Sequence, residues 1–187
     1  QLKFPATKKN KSDITMVWYD GGIRPFHPDL IPANEDIGEV GSANGVMMIG
    51  SKGIMTCGTY GLTPKLYLKN GTKLEMPKDF KTSNPNEQLP EYGHHVSWAK
   101  AIKAGFNSKE HKALTSSFDY SGPLTETVLM GNLAIRSYGL GTPGENGRMK
   151  FEGRKRLLWD GENMKITNFE AANQFVGRKF RDGWKLI

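Results

Sequence analysis

Residues 46–60 decide the fold class, and they read VMMIGSKGIMTCGTY. Strand-forming residues on both sides of the glycine-flanked turn at 50–53 predict two antiparallel strands joined by a tight hairpin. A second hairpin pattern follows at residues 66–75, LYLKNGTKLE. Its dipeptide Asn70-Gly71 tolerates the positive φ angles of a type I′ turn. Together the two segments predict a β-meander.

A further strand is predicted upstream, at residues 14–19, ITMVWY, which alternate with period two and end at Asp20. Residues 23–44 hold three prolines and no periodicity, which predicts a long loop of the kind that is often functional. We expect the strands at 14–19, 46–49 and 54–60 to lie in one mainly antiparallel sheet.

Two helices are predicted after the strands. The first covers residues 93–104 and carries a core-facing stripe with helical spacing: His95, Trp98, Ala99 and Ile102. The second covers residues 123–138, with Pro123 and Glu126 in its first turn. Its apolar residues cover more than half of the circumference, which predicts a largely buried helix.

Two further segments complete the pattern. Residues 77–91 are polar with three prolines, which predicts a surface excursion. Residues 167–170, TNFE, form a capping-box pattern that opens a short helix through Phe175. Strands followed by helices indicate an α+β fold, a mainly antiparallel open sheet with helices packed on one face, in a single domain spanning residues 1–187.

Composition excludes several function classes. Apolar residues make up 37% and charged residues 24% of the 187, which is somewhat polar for a globular protein but far from the composition of a disordered chain. The single cysteine, Cys57, allows neither an intramolecular disulfide nor a cysteine-based zinc site. No apolar stretch approaches the length of a membrane span. The net charge of +7 comes largely from apparent loops, which favours solvated charge over nucleic-acid binding.

Residues 139–144, GLGTPG, match the spacing G-x-G-x-x-G of dinucleotide-binding loops. That fingerprint needs a strand before it and an apolar helix after it. Here a predicted helix precedes it and no apolar helical pattern follows. We therefore expect no cofactor-binding residues in this chain, and no useful affinity of the isolated chain for NAD(H) or NADP(H).

Six residues are candidates for substrate binding: Trp18, Tyr19, Asp20, Arg24, His94 and His95. A strand end bearing aromatic rings and a carboxylate suits sugar hydroxyls, but a core tryptophan and a turn-forming aspartate explain it equally well. Arg24 could bind an acidic substrate group, or merely pair with Asp20 or Glu35.

The two histidines are open to other interpretations, as packed or capping residues. Neighbours on a helix diverge by about 100°, so His94 and His95 cannot share one metal ion, and no metal site is predicted. No catalytic set emerges from the residues, because there is neither a G-x-S-x-G motif nor a compelling acid pair.

Several motifs in order carry a family resemblance: WYDGG at 18–22, NGVMMIGSKG at 44–53, GHHVSW at 93–98, FDYSGPLTETVLMGN at 118–132, WD at 159–160 and NFEAAN at 168–173. The set resembles the glucose–fructose oxidoreductase, inositol dehydrogenase and MocA (Gfo/Idh/MocA) family. It is most similar to the bacterial branch abundant in Bacteroidetes and Planctomycetes. The resemblance covers the chain from about Phe4 to Lys185.

The resemblance implies the C-terminal, substrate-side domain of an NAD(P)-dependent oxidoreductase acting on a sugar or polyol. The family's N-terminal Rossmann domain, its E-K-P segment with the catalytic lysine, and its D-x-x-x-H helix have no counterpart here. The expectation is therefore a chain cut from a longer enzyme and inactive alone. The six candidates would form the substrate rim. Alternatives are part of a nicotinamide-using glycosidase, or a non-catalytic carbohydrate-binding or assembly module.

The resemblance also implies a homo-oligomer, and the strand pattern favours one. Apolar residues fall on both faces of the hairpin, with Val46, Met48 and Ile54 expected on one side and Met47, Ile49 and Met55 on the other. Strands that are apolar on both faces are buried on both faces. The alternative cover for the open face is the pair of loops at 23–44 and 77–91. Relatives occur both in the cytoplasm and in exported form, and the cytoplasm of a bacterium is slightly favoured.

Overall fold

The computed structural model describes residues 1–42, 44–75, 77, 93–178 and 180–184. The chain divides into two compact units. Residues 17–94 form what we call the sheet unit, and residues 1–16 with 95–187 form what we call the helical unit. The expected surface excursion at 77–91 lies outside the described residues except for Pro77.

The sheet unit is built on four antiparallel strands in the order β3-β4-β5-β6. Their bounds are β3 Val46–Ile49, β4 Gly53–Cys57, β5 Lys65–Leu68 and β6 Lys73–Glu75. This is the meander that the two hairpin patterns predict. The second turn differs, because within residues 69–72 only Gly71 has a positive φ, of 86°. A type I′ turn needs two such residues, so that prediction is wrong.

Strand register corrects the expected faces of the first hairpin. Ile54 lies opposite Ile49, and Met55 lies opposite Met48. Directly opposed residues share a face. Ile54 therefore points to the same side as Met47 and Ile49, and Met55 points to the same side as Val46 and Met48. The expected assignment is wrong because the number of residues in the turn determines which residues lie opposite one another.

One face of this sheet, here called the inner face, carries the core of the unit. Ile54 and Tyr67 are 6% and 3% exposed and pack with Ile31 from the long loop. Leu30, Ile37 and Met47 border this cluster. The long loop therefore covers part of the inner face, while cover by loops of the face that the helices leave open stays a prediction. On the opposite, outer face, Met48, Met55 and Leu74 remain exposed.

The helical unit begins with a two-stranded antiparallel ribbon, β1 Leu2–Phe4 and β2 Ile14–Met16. The predicted strand at 14–19 therefore ends at Met16 and does not join the four-stranded sheet, so the expectation of one sheet is wrong. Its alternation alone could not reveal that its partner is Leu2–Phe4.

Three helices follow: α1 Gly93–Ala104, α2 Lys109–Lys112 and α3 Phe118–Ser137. The bounds of α1 are those predicted, but it is Ala101 that is buried in the body of the helix, whereas Trp98 is 62% exposed. The core-facing stripe through His95, Trp98 and Ile102 is therefore wrong. The burial predicted for the second helix is also wrong, because Leu124, Leu129 and Ile135 of α3 are exposed.

The unit ends in two small ribbons and a 3₁₀ helix. The ribbons are β7 Thr142–Pro143 with β8 Met149–Lys150, and β9 Trp159–Asp160 with β10 Lys165–Ile166. The 3₁₀ helix Glu170–Phe175 packs on α3. The predicted short helix exists, but the capping box does not form. The Thr167 hydroxyl donates instead to the Leu158 carbonyl, at 3.2 Å.

The α+β class with open antiparallel sheets is confirmed. Packing of α1 and α3 on the four-stranded sheet stays a prediction, as does the single domain. Within the described part of the chain, no helix has the length and hydrophobicity needed to span a membrane.

Candidate functional site

Four of the six candidate residues lie on one exposed turn at the start of the sheet unit. Trp18 is 69% exposed, and Tyr19, Asp20 and Arg24 are exposed beside it in sequence. The interpretation of Trp18 as a core residue is therefore wrong. We call residues 18–24 the aromatic turn.

Asp20 shapes the aromatic turn. Its Oδ1 accepts a hydrogen bond from Gly21 N–H at 2.7 Å, and its carbonyl accepts from Ile23 N–H at 3.3 Å. Gly21 and Gly22 have φ angles of 67° and 84°, which residues other than glycine rarely adopt. The turn-forming interpretation of Asp20 is confirmed. Because Oδ1 faces the turn, Oδ2 is the oxygen left for a ligand.

Arg24 does not pair with either of the two acids that the sequence suggested. Glu35 binds Lys65 and Lys73 instead, and the ion pairs of the described residues do not include Arg24. The guanidinium therefore lies on the surface within the same short segment as Trp18 and Asp20.

His94 and His95 occupy the first turn of α1, and both are exposed. The division between the two units falls between them. Along the chain the six candidates therefore lie on two separate segments, the aromatic turn and the start of α1. Among the residues that the structure describes, no group of three or more His, Cys, Asp or Glu side chains could hold a metal ion.

Glu35 is the centre of a cluster of hydrogen bonds and ion pairs that the sequence analysis did not predict. Its carboxylate accepts hydrogen bonds from Lys73 Nζ at 2.8 Å, Tyr67 Oη at 2.8 Å and Lys65 Nζ at 3.1 Å. All three donors come from neighbouring strands of the sheet, 30 or more residues along the chain. No local pattern marks such a contact, so only the strand register could have found it.

The hydrogen bonds to Glu35 change the acidity of the groups involved. Those from Lys73, Tyr67 and Lys65 lower the pKa of Glu35 to about 2, because each donor stabilises the carboxylate. Burial, and then the bond to ionised Glu35, raises the pKa of Tyr67 to about 12. The pKa of Lys73 is also raised, mainly by its hydrogen bonds to Glu35 and Glu75. Glu35 and Lys73 are therefore charged, and the Tyr67 hydroxyl is neutral, throughout the neutral pH range.

Glu126 plays a different part from the one its sequence position indicated. It lies nine residues into α3, beyond the first turn, and its Oε1 accepts a hydrogen bond from Trp159 Nε1 at 2.6 Å. Helix α3 begins at Phe118, five residues before the predicted start, so Pro123 lies inside it. Glu126 joins the β9–β10 ribbon to α3, which is a structural role.

The GLGTPG segment does not fit a dinucleotide. Thr142 and Pro143 pair with β8, and Gly144 N–H donates to Arg148 carbonyl at 2.8 Å. A Cβ at Gly141 would collide with the Lys150 carbonyl, so this glycine serves close backbone packing. A pyrophosphate site needs free N–H groups at a helix N-terminus, and this segment forms a ribbon instead.

Several basic side chains of the helical unit stack on aromatic rings. The charge pattern alone did not predict these contacts. Arg154 stacks over Phe151 at 3.8 Å and Tyr138 at 5.0 Å, and Lys155 lies 4.5 Å from the centre of Phe169. Such contacts stabilise the loop through cation–π attraction.

Among the described residues, each unit carries a shallow surface pocket. One, of about 430 Å³, lies on the outer face of the sheet and is lined by Met48, Met55, Leu66 and Leu68. The other, of about 300 Å³, lies in the helical unit and is lined by Trp98, Phe106, His111 and Phe118 among others. No protein-family model, curated protein or solved structure matches the chain.

Proposed function

We propose that this chain is the substrate-side portion of an NAD(P)-dependent oxidoreductase acting on a sugar or polyol. The observation that carries the proposal is the aromatic turn. It presents two aromatic rings next to a carboxylate and a guanidinium, all exposed, within seven residues. The C–H face of a sugar ring packs on aromatic rings, while carboxylate oxygens accept from its hydroxyls.

In this proposal the chain binds and orients the substrate and leaves the redox step to another domain. The nicotinamide cofactor supplies hydride transfer when bound, and the resemblance implies that a Rossmann domain outside this sequence holds it. Trp18 and Tyr19 would stack on the substrate. Asp20 Oδ2 would accept from a hydroxyl, and Arg24 would donate to a substrate oxygen.

The proposal predicts that the chain binds a polyhydroxylated ring through Trp18. We expect saturation-transfer NMR to detect binding of myo-inositol or D-glucose, and Trp18→Ala to weaken that binding about tenfold through lost stacking. Trp184→Ala is the matched control, because Trp184 is a similarly exposed tryptophan of the helical unit. Equal binding by wild type and Trp18→Ala would contradict the assignment of the aromatic turn.

The same measurements separate the proposal from a carbohydrate-binding module. NADH should not bind the isolated chain at micromolar concentration, whereas the protein encoded by the full reading frame should bind it and oxidise the sugar. Sugar binding without nicotinamide turnover in that longer protein would favour the non-catalytic module.

A further inference from the structure

The long loop of the sheet unit is held to the inner face by two kinds of contact. Ile31 packs on Ile54 and Tyr67, and Glu35 binds the side chains around them. Lys73 lies directly opposite Tyr67 in the register, and Lys65 lies two residues before it on the same face. The carboxylate of Glu35 therefore lies at the edge of the apolar cluster, next to the ammonium groups of Lys65 and Lys73.

Residues 27–35 close into a compact loop above this contact. His27 Nε2 lies 3.0 Å from the carbonyl of Glu35, Ile31 N–H donates to Pro28, and Glu35 N–H donates to Pro32. These bonds connect the two ends of the segment at Glu35. Whatever fixes Glu35 to the sheet therefore also fixes His27.

The aromatic turn ends only three residues before His27. In the described chain, the hydrogen bonds of residues 18–24 are local ones, from Gly21 and Ile23 to Asp20. The turn thus has a defined internal shape but depends on its flanking residues for its position. On the C-terminal side, the nearest anchor is the His27–Glu35 contact.

We infer that Glu35 is a positioning residue, which anchors the chain that follows the aromatic turn and so sets the geometry of that turn as part of the substrate rim. The inference rests on the proposed function for the identity of the ligand, but not for the anchoring itself. Glu35 acts through the loop at 27–35, and neither Lys65 nor Lys73 needs to touch substrate.

The anchoring can be tested without a ligand by hydrogen exchange of the whole chain. Glu35→Gln removes the charge that Lys65 and Lys73 neutralise, and amides within residues 18–37 should then exchange about tenfold faster. Asp36→Asn is the control, since Asp36 is adjacent and has only a 3.4 Å contact with Gly41 N–H. Unchanged exchange in Glu35→Gln would overturn the inference.

A milder variant keeps the test decisive if Glu35→Gln does not fold. Tyr67→Phe retains the buried ring and removes one of the donors to Glu35. It should accelerate exchange over the same residues by a smaller factor. Acceleration spread evenly over the sheet unit would show a general loss of stability, and would overturn a specific role in positioning.

Exchange should also depend on pH in a defined direction. The pKa of Glu35 is lowered from 4.5 to about 2, so its contribution to anchoring is complete above pH 4.5 and is lost as the pH falls toward 2. The charged or titratable groups around it are Lys65, Lys73, Tyr67, Glu75 and His27. Glu35→Gln should abolish the component of the profile between pH 4.5 and 2.

Ligand binding provides the second readout. Glu35→Gln should raise the Kd for myo-inositol or D-glucose about tenfold, and Glu35→Asp should restore part of the affinity. If wild-type chain binds neither sugar, the proposed function fails, while the exchange data still decide whether Glu35 places the aromatic turn. Wild-type affinity in a Glu35→Gln protein would overturn the positioning role.

Discussion

Asn173 satisfies both backbone groups of a buried residue in the helical unit. Its Oδ1 accepts from Ile166 N–H at 2.7 Å, and its Nδ2 donates to the Ile166 carbonyl at 3.0 Å. Ile166 is 2% exposed, so water cannot replace these bonds easily. We expect Asn173→Leu to lower the free energy of unfolding by about 2–4 kcal/mol.

Urea unfolding checks this residue-scale prediction. Gln174→Ala is the control, because Gln174 is exposed and its Nε2 donates only to the nearby Ala171 carbonyl. Its effect should stay within about 0.5 kcal/mol. A similar loss in both variants would mean that Asn173 does not support Ile166 as described.

At the scale of an element, we predict opposite effects on stability for the replacement of two glycines, one inside helix α3 and one packed against its C-terminal end. A Cβ at Gly131, inside α3, would meet nothing within 4 Å, so Gly131→Ala should stabilise the protein by roughly 0.5–1 kcal/mol through helix propensity. A Cβ at Gly153 would collide with the carbonyl of buried Ser137 at the end of α3. Gly153→Ala should therefore cost about 2 kcal/mol or more.

Thermal unfolding of the two variants would measure these effects side by side. The expected result is a rise in Tm for Gly131→Ala and a fall for Gly153→Ala. A fall in both would show that Gly131 is packed against a surface. A neutral Gly153→Ala would mean that the loop after β8 moves away from Ser137 at little cost.

At the scale of the whole molecule, the apolar surface left exposed favours association. On the outer face, strand register aligns Met48, Met55, Leu66 and Leu74 in one row across four strands. A contiguous apolar row of this kind marks an interaction surface. We expect a second copy of the chain to cover it.

Light scattering tests this association. Wild-type chain should have at least twice the monomer mass of 20.8 kDa, and Met55→Lys should shift it to the monomer by burying a charge in the contact. Asn70→Lys, with the same added charge in an exposed turn, should leave the mass unchanged. A wild-type mass near 21 kDa at all concentrations would refute the homo-oligomer.

The sequence by itself determined the elements whose signals are local. Period-two alternation and glycine-bearing turns located the meander at 46–75, and helical spacing with Gly105 located α1 at its observed bounds. The exposed aromatic turn was also predictable in part, because Asp20-Gly21-Gly22 is a turn pattern whatever surrounds it. These features depend on backbone preferences over a few residues.

The tertiary structure alone decided which strands pair, which faces are buried and what Glu35 does. Residues 14–16 pair with residues 2–4 rather than with the meander, although both partners carry strand-forming residues. Periodicity places Trp98 and Ile102 on one side of α1 without telling whether that side meets a core. Glu35 finds Lys65, Tyr67 and Lys73 only after strand pairing brings them together, because contacts between distant residues depend on register and not on local pattern.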